Sequence, residues 1–336
     1  MKILRYILFP FVPVYYLVTW LRNKLFDLGL LKSVSYNFPV ICVGNLSVGG
    51  TGKTPMIEYL IRLLKDDFAV ATLSRGYKRK TKGFQLANKN SSAASLGDEP
   101  FQFYSKFKEN ILVAVDADRI NGIKNLIVQE SSIEIVLLDD AFQHRKVKAG
   151  FNIMLTTFEK PYFSDIVLPT GDLREPRRGA KRADIIVVTK CPKGLSNSDK
   201  DSILKQIKPN KNQHVFFSSI SYSDKVFTME SKRNLSELND FTLVTGIANA
   251  NPLVEFLKVN KLEFEHLNFK DHHEFSIEDI EALKQKELIL TTEKDFMRLK
   301  QYAELKDKLF YLPIQVKMDN EATFNKLVLD YMKNDN

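Results

Sequence analysis

The sequence predicts an α/β fold: a doubly wound, mostly parallel sheet, a second and smaller α/β domain, and an apolar amino-terminal helix suited to a membrane surface. Three observations predict it. The run Val40 to Thr54, VICVGNLSVGGTGKT, passes from strand-like apolar residues through a Gly-rich turn into Lys-Thr. After it, short apolar runs alternate with helical periodicity, the pattern of strands joined by crossover helices. Near residues 209–240 that rhythm breaks into the polar runs PNKNQ and ESKRNLSELND, then resumes. The 336 residues thus divide into an amino-terminal segment 1–35, a core domain 36–213 and a smaller domain 214–336, with residues from about 317 onward able to pack on either domain.

In the first segment no residue between Arg5 and Arg22 is charged, and YILFPFVPVYYLVTWL is aliphatic and aromatic throughout. Pro10, Pro13 and a length short of the roughly 17–25 residues of a span argue against a transmembrane helix. The lack of a small-residue cleavage site argues against a signal peptide. Tyr6, Tyr15, Tyr16 and Trp20 are of types enriched at headgroup depth, and Lys2, Arg5, Arg22 and Lys24 can meet anionic lipid. An interfacial anchor on a cytoplasmic membrane face is the expectation, with a helix packed on the protein itself and a single spanning anchor as the alternatives.

The Gly-rich turn carries the chemistry of a nucleotide site. Gly49, Gly50 and Gly52 let the backbone bend so that successive N–H groups converge on phosphate oxygens. Lys53 supplies a positive charge for the β- and γ-phosphates, Thr54 a hydroxyl for Mg²⁺, and Ser47, Val48 and Thr51 complete the loop. A helix must follow, because Met56, Ile57, Leu60, Ile61 and Leu64 recur at helical spacing behind Pro55. Its N-terminus aims partial positive charge at the phosphates. The pattern is P-loop NTPase-like, with Ser47 standing where the general motif has its first glycine.

Residues 68–74, 111–115, 133–139, 151–156 and 184–189 read as further strands of the core, and TKGFQLANKNSSAAS as a loop or ragged hairpin. The smaller domain follows from FTLVTG, a helix from about Pro252, LEFEHLNF, a helix after Ser276, ELILTT and FYLPIQV. A cleft between two such units is a natural meeting place for two substrates. The two cysteines, Cys42 and Cys191, lack metal-ligand spacing and suggest buried thiols in a reducing compartment. A net charge of +8 favours an anionic partner, but no nucleic-acid-binding motif accompanies it and no obligate protein partner is evident.

In IVLLDDAFQHR the apolar run 135–138 ends in Asp139 and Asp140. At a strand's carboxyl end behind a phosphate loop, such carboxylates hold Mg²⁺ directly or through water, and two of them side by side repel unless a cation intervenes. Asp98 and Glu99 precede Pro100, a pattern that also reads as a helix cap. DHH at 271–273 reads as a solvated loop or as the partner of a general base.

Taken in order, GNLSVGGTGKTP, LSRGYKR, GDEP, LLDDAFQHR, GDLREP, VTGIANANP, FKDHHEF and LTTEKDFMRL resemble the motifs of the lipid A 4'-kinase (tetraacyldisaccharide 4'-kinase) family of Gram-negative bacteria, over nearly the whole chain. The resemblance implies transfer of the γ-phosphoryl of ATP to the 4'-hydroxyl of a lipid A disaccharide 1-phosphate, at the cytoplasmic face of the inner membrane. It also implies a catalytic dyad of Asp98 and His272, with Lys53 assisting, and acidic positions for Mg²⁺ at Glu99, Asp139 and Asp140. Arg119, Gln143, His144, Arg174 and Glu175 match motif residues expected near substrate or phosphate. Ala141 stands where the family commonly has Gly.

The rival reading is a membrane-associated ATPase of the ParA/MinD type, which phosphorylates no acceptor. Its loop, KGGxGKT, requires a lysine where this chain has Val48. A GTPase would need an acidic residue in its base-reading motif, and the corresponding run is Thr189-Lys190-Cys191-Pro192.

Overall fold

The computed structural model describes residues 2–271 and 273–334. Among the described residues, fifteen strands form two sheets. The larger has nine, in the order Ile314–Met318, His214–Tyr222, Ile185–Thr189, Phe151–Thr157, Val40–Asn45, Ile135–Asp139, Val70–Ser74, Leu112–Val115 and Gln85–Leu86. Its inner pairs are all parallel, and only the two outermost strands run antiparallel to their neighbours. The five strands expected in the core are therefore all present. The polar run before Asp98 contributes the edge pair Gln85–Leu86 and a short helix, Ala93–Leu96.

Both faces of this sheet are covered, which is why its strands read as unbroken apolar runs rather than alternating ones. Val40 and Cys42 enter one hydrophobic layer, and Ile41 and Val43 the opposite one. The second layer is filled by Met56, Ile57, Leu60, Ile61 and Leu64 of the helix Lys53–Leu64 and by Phe103 and Phe107 of the helix Asp98–Phe107. Phe324, Val328 and Met332 recur at i, i+4, i+8 on the helix Glu321–Asn334 and complete it, so the carboxyl-terminal helix packs on the large sheet.

The smaller sheet has six strands, in the order Lys232–Asn234, Lys225–Phe227, Leu309–Leu312, Ile289–Thr292, Phe241–Thr245 and Phe264–Asn268. The chain passes between sheets twice, after Tyr222 and at Pro313. FYLPIQV, expected as one strand of the smaller unit, is thus two strands in different sheets. Pro313 lacks an amide to continue a ladder, and the chain turns there. Likewise HVFFSSI pairs in parallel with Ile185–Thr189 and belongs to the large sheet.

At the amino terminus a helix, Lys2–Ile7, and a 3₁₀ turn, Phe9–Phe11, lead into the helix Val12–Asp27, with Pro10 and Pro13 in first-turn positions that need no amide donor. No helix among the described residues is long and apolar enough to cross a membrane. The long helix is amphipathic in the reverse of the usual sense. Tyr15, Arg22 and Asn23 face the protein and bond to it, while Val14, Leu17, Val18 and Leu21 are exposed.

The close approach of one turn to the central strand yields a stability test. A β-carbon on Gly44 would lie 2.6 Å from Cβ of Phe142, itself buried. Gly44→Ala must displace the Asp140–Gln143 turn, and a loss of about 1–3 kcal/mol is expected in urea unfolding.

Candidate active site

The phosphate loop is held in shape by side chains of the neighbouring strands. Asn45, fully buried, donates its Nδ2 to Thr51 Oγ1 at 2.8 Å, Thr189 Oγ1 donates to the Thr51 carbonyl at 2.8 Å, and Lys190 Nζ donates to the Gly50 carbonyl at 2.6 Å. Gly49 and Gly52 have φ of +110° and +89°, a region that costs other residues strain. Gly52 offers no side-chain acceptor to the helix Lys53–Leu64, so the helix's first turn is capped by no side chain at Gly52, beside Lys53 and Thr54.

The loop's outer limb is not available in the way the sequence leads one to expect. Ser47 pairs with Leu173, the Val48 amide donates to the Asp172 carbonyl at 2.8 Å, and the Arg174 amide donates to the Leu46 carbonyl at 2.7 Å. Ser47 and Val48 were expected among the nucleotide-binding residues. The Val48 amide is instead committed to the GDLREP segment, and Ser47 stands opposite Leu173 in the bridge between the two segments.

Facing the loop is the Asp139–Asp140 pair at the end of the strand Ile135–Asp139. Asp140 has φ of +48°, a left-handed turn that Asp tolerates better than most residues. Its Oδ1 lies 2.9 Å from Arg174 Nη1 and 3.6 Å from Lys53 Nζ. Burial works against the Asp140 charge, yet Lys53 and Arg174 hold its carboxyl below the ordinary range. Asp139 differs. Burial and the neighbouring Asp140 charge push it up to about 6, with Lys53 offsetting only part. Its Oδ2 accepts from Ser74 Oγ at 3.1 Å, while its buried Oδ1 has no partner among the described residues. An orphaned buried carboxylate oxygen in this position fits a hard cation. Glu99 lies close enough that its charge also raises Asp139. No group of three or more His, Cys, Asp or Glu among the described residues is arranged to hold a metal ion by itself. Such a donor set suits Mg²⁺, which usually takes one or two carboxylates and completes its shell with water and phosphate.

Asp98 opens the helix Asp98–Phe107, whose cap is Gly97, so its carboxylate is not the cap that the sequence allows. Arg298, from the helix Glu293–Leu299 of the smaller unit, grips it with Nη2 and, at 3.1 Å, with Nε. Arg298 Nη1 also donates to the His273 carbonyl at 3.3 Å. His272 lies outside the described residues. Its neighbour His273 is engaged elsewhere, with Nε2 2.8 Å from Asp279 Oδ2 and its ring stacked on Phe269.

Two residues expected beside substrate or phosphate are buried instead. Arg119 is 2% exposed, and its guanidinium donates to the carbonyls of Asp116, Ala117 and Asp139, so it braces the strand end from beneath. Glu175 is 1% exposed and chelated by Arg182 at 2.7 and 3.0 Å, with Asn23 and Gln143 donating to it as well. Gln143 in turn donates to the Asn45 carbonyl at 2.8 Å and accepts from Arg174 at 3.4 Å. A carboxylate this dry is stable only with such partners, and they leave no room for a ligand. His144 is half-buried, and burial followed by Arg119 holds its imidazole below the ordinary value.

Sequence reading missed Asn45, Lys190 and Arg298, and with them a charge cluster between the two units. Lys106 bridges Glu58 of the phosphate-loop helix at 2.6 Å and Glu293 of the smaller unit, and Gln102 and Arg62 complete Glu58. Arg298 sits in LTTEKDFMRL, which was visible as a motif but not as a partner of GDEP, 200 residues away.

The comparisons with known proteins can be set on this geometry. The profile of the LpxK family, tetraacyldisaccharide-1-P 4'-kinase, matches residues 4–333. The chain belongs to this family. It is 51% identical to a tetraacyldisaccharide 4'-kinase of Flavobacterium johnsoniae, covering 99% of this chain and 98% of that one. It is 43% identical to one of Bacteroides thetaiotaomicron, covering 97% and 93%. The fold superposes on a crystal structure of LpxK from Aquifex aeolicus in complex with ATP, with a TM-score of 0.80 and 31% identity, over 98% of this chain and 99% of that one. The shared fold thus extends over nearly the whole of both chains.

Two measurements check the electrostatics. The folded-state value of Asp139 lies above the ordinary carboxylate value, so its contribution to stability is complete below about pH 4 and is lost as pH rises through about 6. Without ligands, Asp139→Asn should therefore be more stable than the wild type at pH 7.5, by up to about 3 kcal/mol, with the gap closing toward pH 4. Equal thermal stability at both pH values would refute this. Glu175→Ala removes the carboxylate partner of the part-buried Arg182 along with an acceptor for Asn23 and Gln143, and should cost about 1–3 kcal/mol in urea unfolding.

Proposed function

We propose that this chain transfers the γ-phosphoryl group of ATP to the 4'-hydroxyl of a tetraacyldisaccharide 1-phosphate in lipid A biosynthesis, at the cytoplasmic face of the bacterial inner membrane. One observation carries the reading: a phosphate loop with Lys53 facing the Asp139–Asp140 pair, in a chain that its family's profile matches almost end to end. The exposed apolar face of the helix Val12–Asp27 supports a membrane-surface location, since an acceptor of four acyl chains has to be met at a lipid boundary.

In this mechanism positioning and electrostatics do most of the work. The helix N-terminus at Lys53 and the Lys53 ammonium bind the triphosphate. Thr54, Asp139 and Asp140 would hold Mg²⁺, with Glu99 nearby; bound there, the ion neutralises charge developing on the phosphates. Arg174 keeps Asp140 ionised and oriented. Asp98 accepts the proton of the acceptor hydroxyl as it attacks in line, with His272 as its partner in the dyad. Arg298 holds Asp98 from the smaller unit, so the relative placement of the two units bears directly on the base.

Incubation with γ-labelled ATP and the lipid disaccharide should move label into the organic phase. Label appearing only as free phosphate would favour an ATPase that phosphorylates no acceptor. Asp98→Ala should lower turnover by about 10²- to 10⁴-fold while leaving ATP affinity nearly unchanged. Full turnover in that variant would remove Asp98 from its role.

A further inference from the structure

A cavity of about 240 Å³ lies outside the catalytic machinery, between the helix Val12–Asp27 and the turn Arg177–Arg182. It is lined by Lys24, Arg178 and Lys181, which are exposed, and by the half-buried Asn23 and Arg182. No ion pair is found for Lys24, Arg178 or Lys181 among the described residues. Arg182 is held by Glu175 at 2.7 Å, and the one carboxylate at the rim, Asp27, is paired with Arg145 at 2.8 Å. Three cations thus converge without a counter-ion on a space below the about 300–1,000 Å³ of a drug-sized site. Such a cavity has room for one phosphate and a small polar body.

What adjoins the cavity identifies the ligand. Leu17, Trp20, Leu21, Lys24 and Leu28 follow one another at i, i+3, i+4, i+7 and i+11, and so share one stripe of the helix. Leu17 is 58% exposed, Leu21 49% and Leu28 60%, and Trp20 lies at the cavity's edge. An apolar stripe leading to a tryptophan and then to a cationic pocket reproduces, from chains to phosphate, the polarity profile of a phospholipid.

We propose that this cavity is a binding site for the phosphate headgroup of an anionic bilayer lipid, separate from the phosphate loop and the Asp139–Asp140 pair and seated by the acyl chains along the Leu17–Leu28 stripe. The proposal rests on the membrane-surface reading given above. The cavity's lining joins it to catalysis, because Asn23 and Arg182 are the residues that fix Glu175, and Glu175 fixes Gln143 beside Arg174. A lipid seated there would steady the helix that braces the acidic turn.

Trp20 is the only tryptophan of the chain, so its fluorescence reports on the site directly. The full-length protein is titrated with phosphatidylcholine vesicles, with vesicles containing phosphatidylglycerol, and with inorganic phosphate or glycerol 3-phosphate alone. Saturable blue-shifted emission with the phosphatidylglycerol vesicles is expected. The variant Lys24→Glu/Arg178→Glu/Lys181→Glu should bind these vesicles about 100-fold more weakly, at roughly fivefold per cation. A control of equal charge change on exposed residues elsewhere, Lys205→Glu/Lys211→Glu/Lys258→Glu, should lose less than about threefold, because charges beyond a Debye length are screened. Equal losses in both variants would show diffuse attraction and overturn the site while sparing the membrane reading. An equal response to soluble phosphates would overturn the lipid assignment. Failure of the wild type to bind any vesicle would overturn the membrane reading, and the site with it.

Discussion

Two adjacent carboxylates at the end of one buried strand set the terms for the rest of the molecule. Asp139 and Asp140 cannot both be charged in a dry site without cations around them. Lys53 and Arg174 stabilise Asp140, which leaves Asp139 as the strained member, raised to about 6 and with one oxygen unpartnered. The unpartnered oxygen fits the divalent ion proposed for this site. The arrangement also explains why so much of the surrounding structure is polar and buried. Arg119 secures the carbonyl of Asp139, Gln143 ties the turn to Asn45, and Glu175 anchors Gln143 and Arg182. Each bond limits how far the turn can relax away from the phosphate loop.

The amino-terminal helix is the outer layer of that same support. Its polar edge supplies Arg22 to the Gln143 carbonyl, Asn23 to Glu175 and the Tyr15 hydroxyl to the Arg174 carbonyl at 3.0 Å. Its apolar side leaves Val14, Leu17, Val18 and Leu21 exposed, the face that the proposed membrane-surface location would use. On the opposite flank, Lys106 bridges Glu58 and Glu293 across the two units, and burial with the Glu58 charge pushes Glu293 up to about 7. Arg298 gripping Asp98 makes the second link across that boundary. Asp98, the proposed general base, therefore lies on one unit and is held by the other.

Much of this was legible in the chain. The strand, turn and helix around Val40–Thr54 are dictated locally, since glycines at positive φ and an apolar helix stripe need no distant partner to be recognised. The acidic strand end was legible for the same reason. Roles that depend on burial were not. Arg119 and Glu175 look like ligand-contacting residues in a motif, because a motif records that a charge is kept and not which way it faces. Val48 looks like a phosphate-binding loop residue until its amide is seen to donate to the Asp172 carbonyl of GDLREP. FYLPIQV reads as a single strand because periodicity carries no information about which sheet a strand joins; Pro313 is the one local sign of the break.

The sequence by itself determined the nucleotide loop, the doubly wound order of strands and helices, the apolar amino terminus and the family, all of which follow from residue types at short spacing. Tertiary structure alone decided which charges face a ligand and which are buried as braces, how the strands are apportioned between the sheets, and that Arg298 meets Asp98. The physical reason is range. Helix and turn preferences act over a few residues, whereas pairing of buried charges is fixed by desolvation, which depends on everything the fold brings around them.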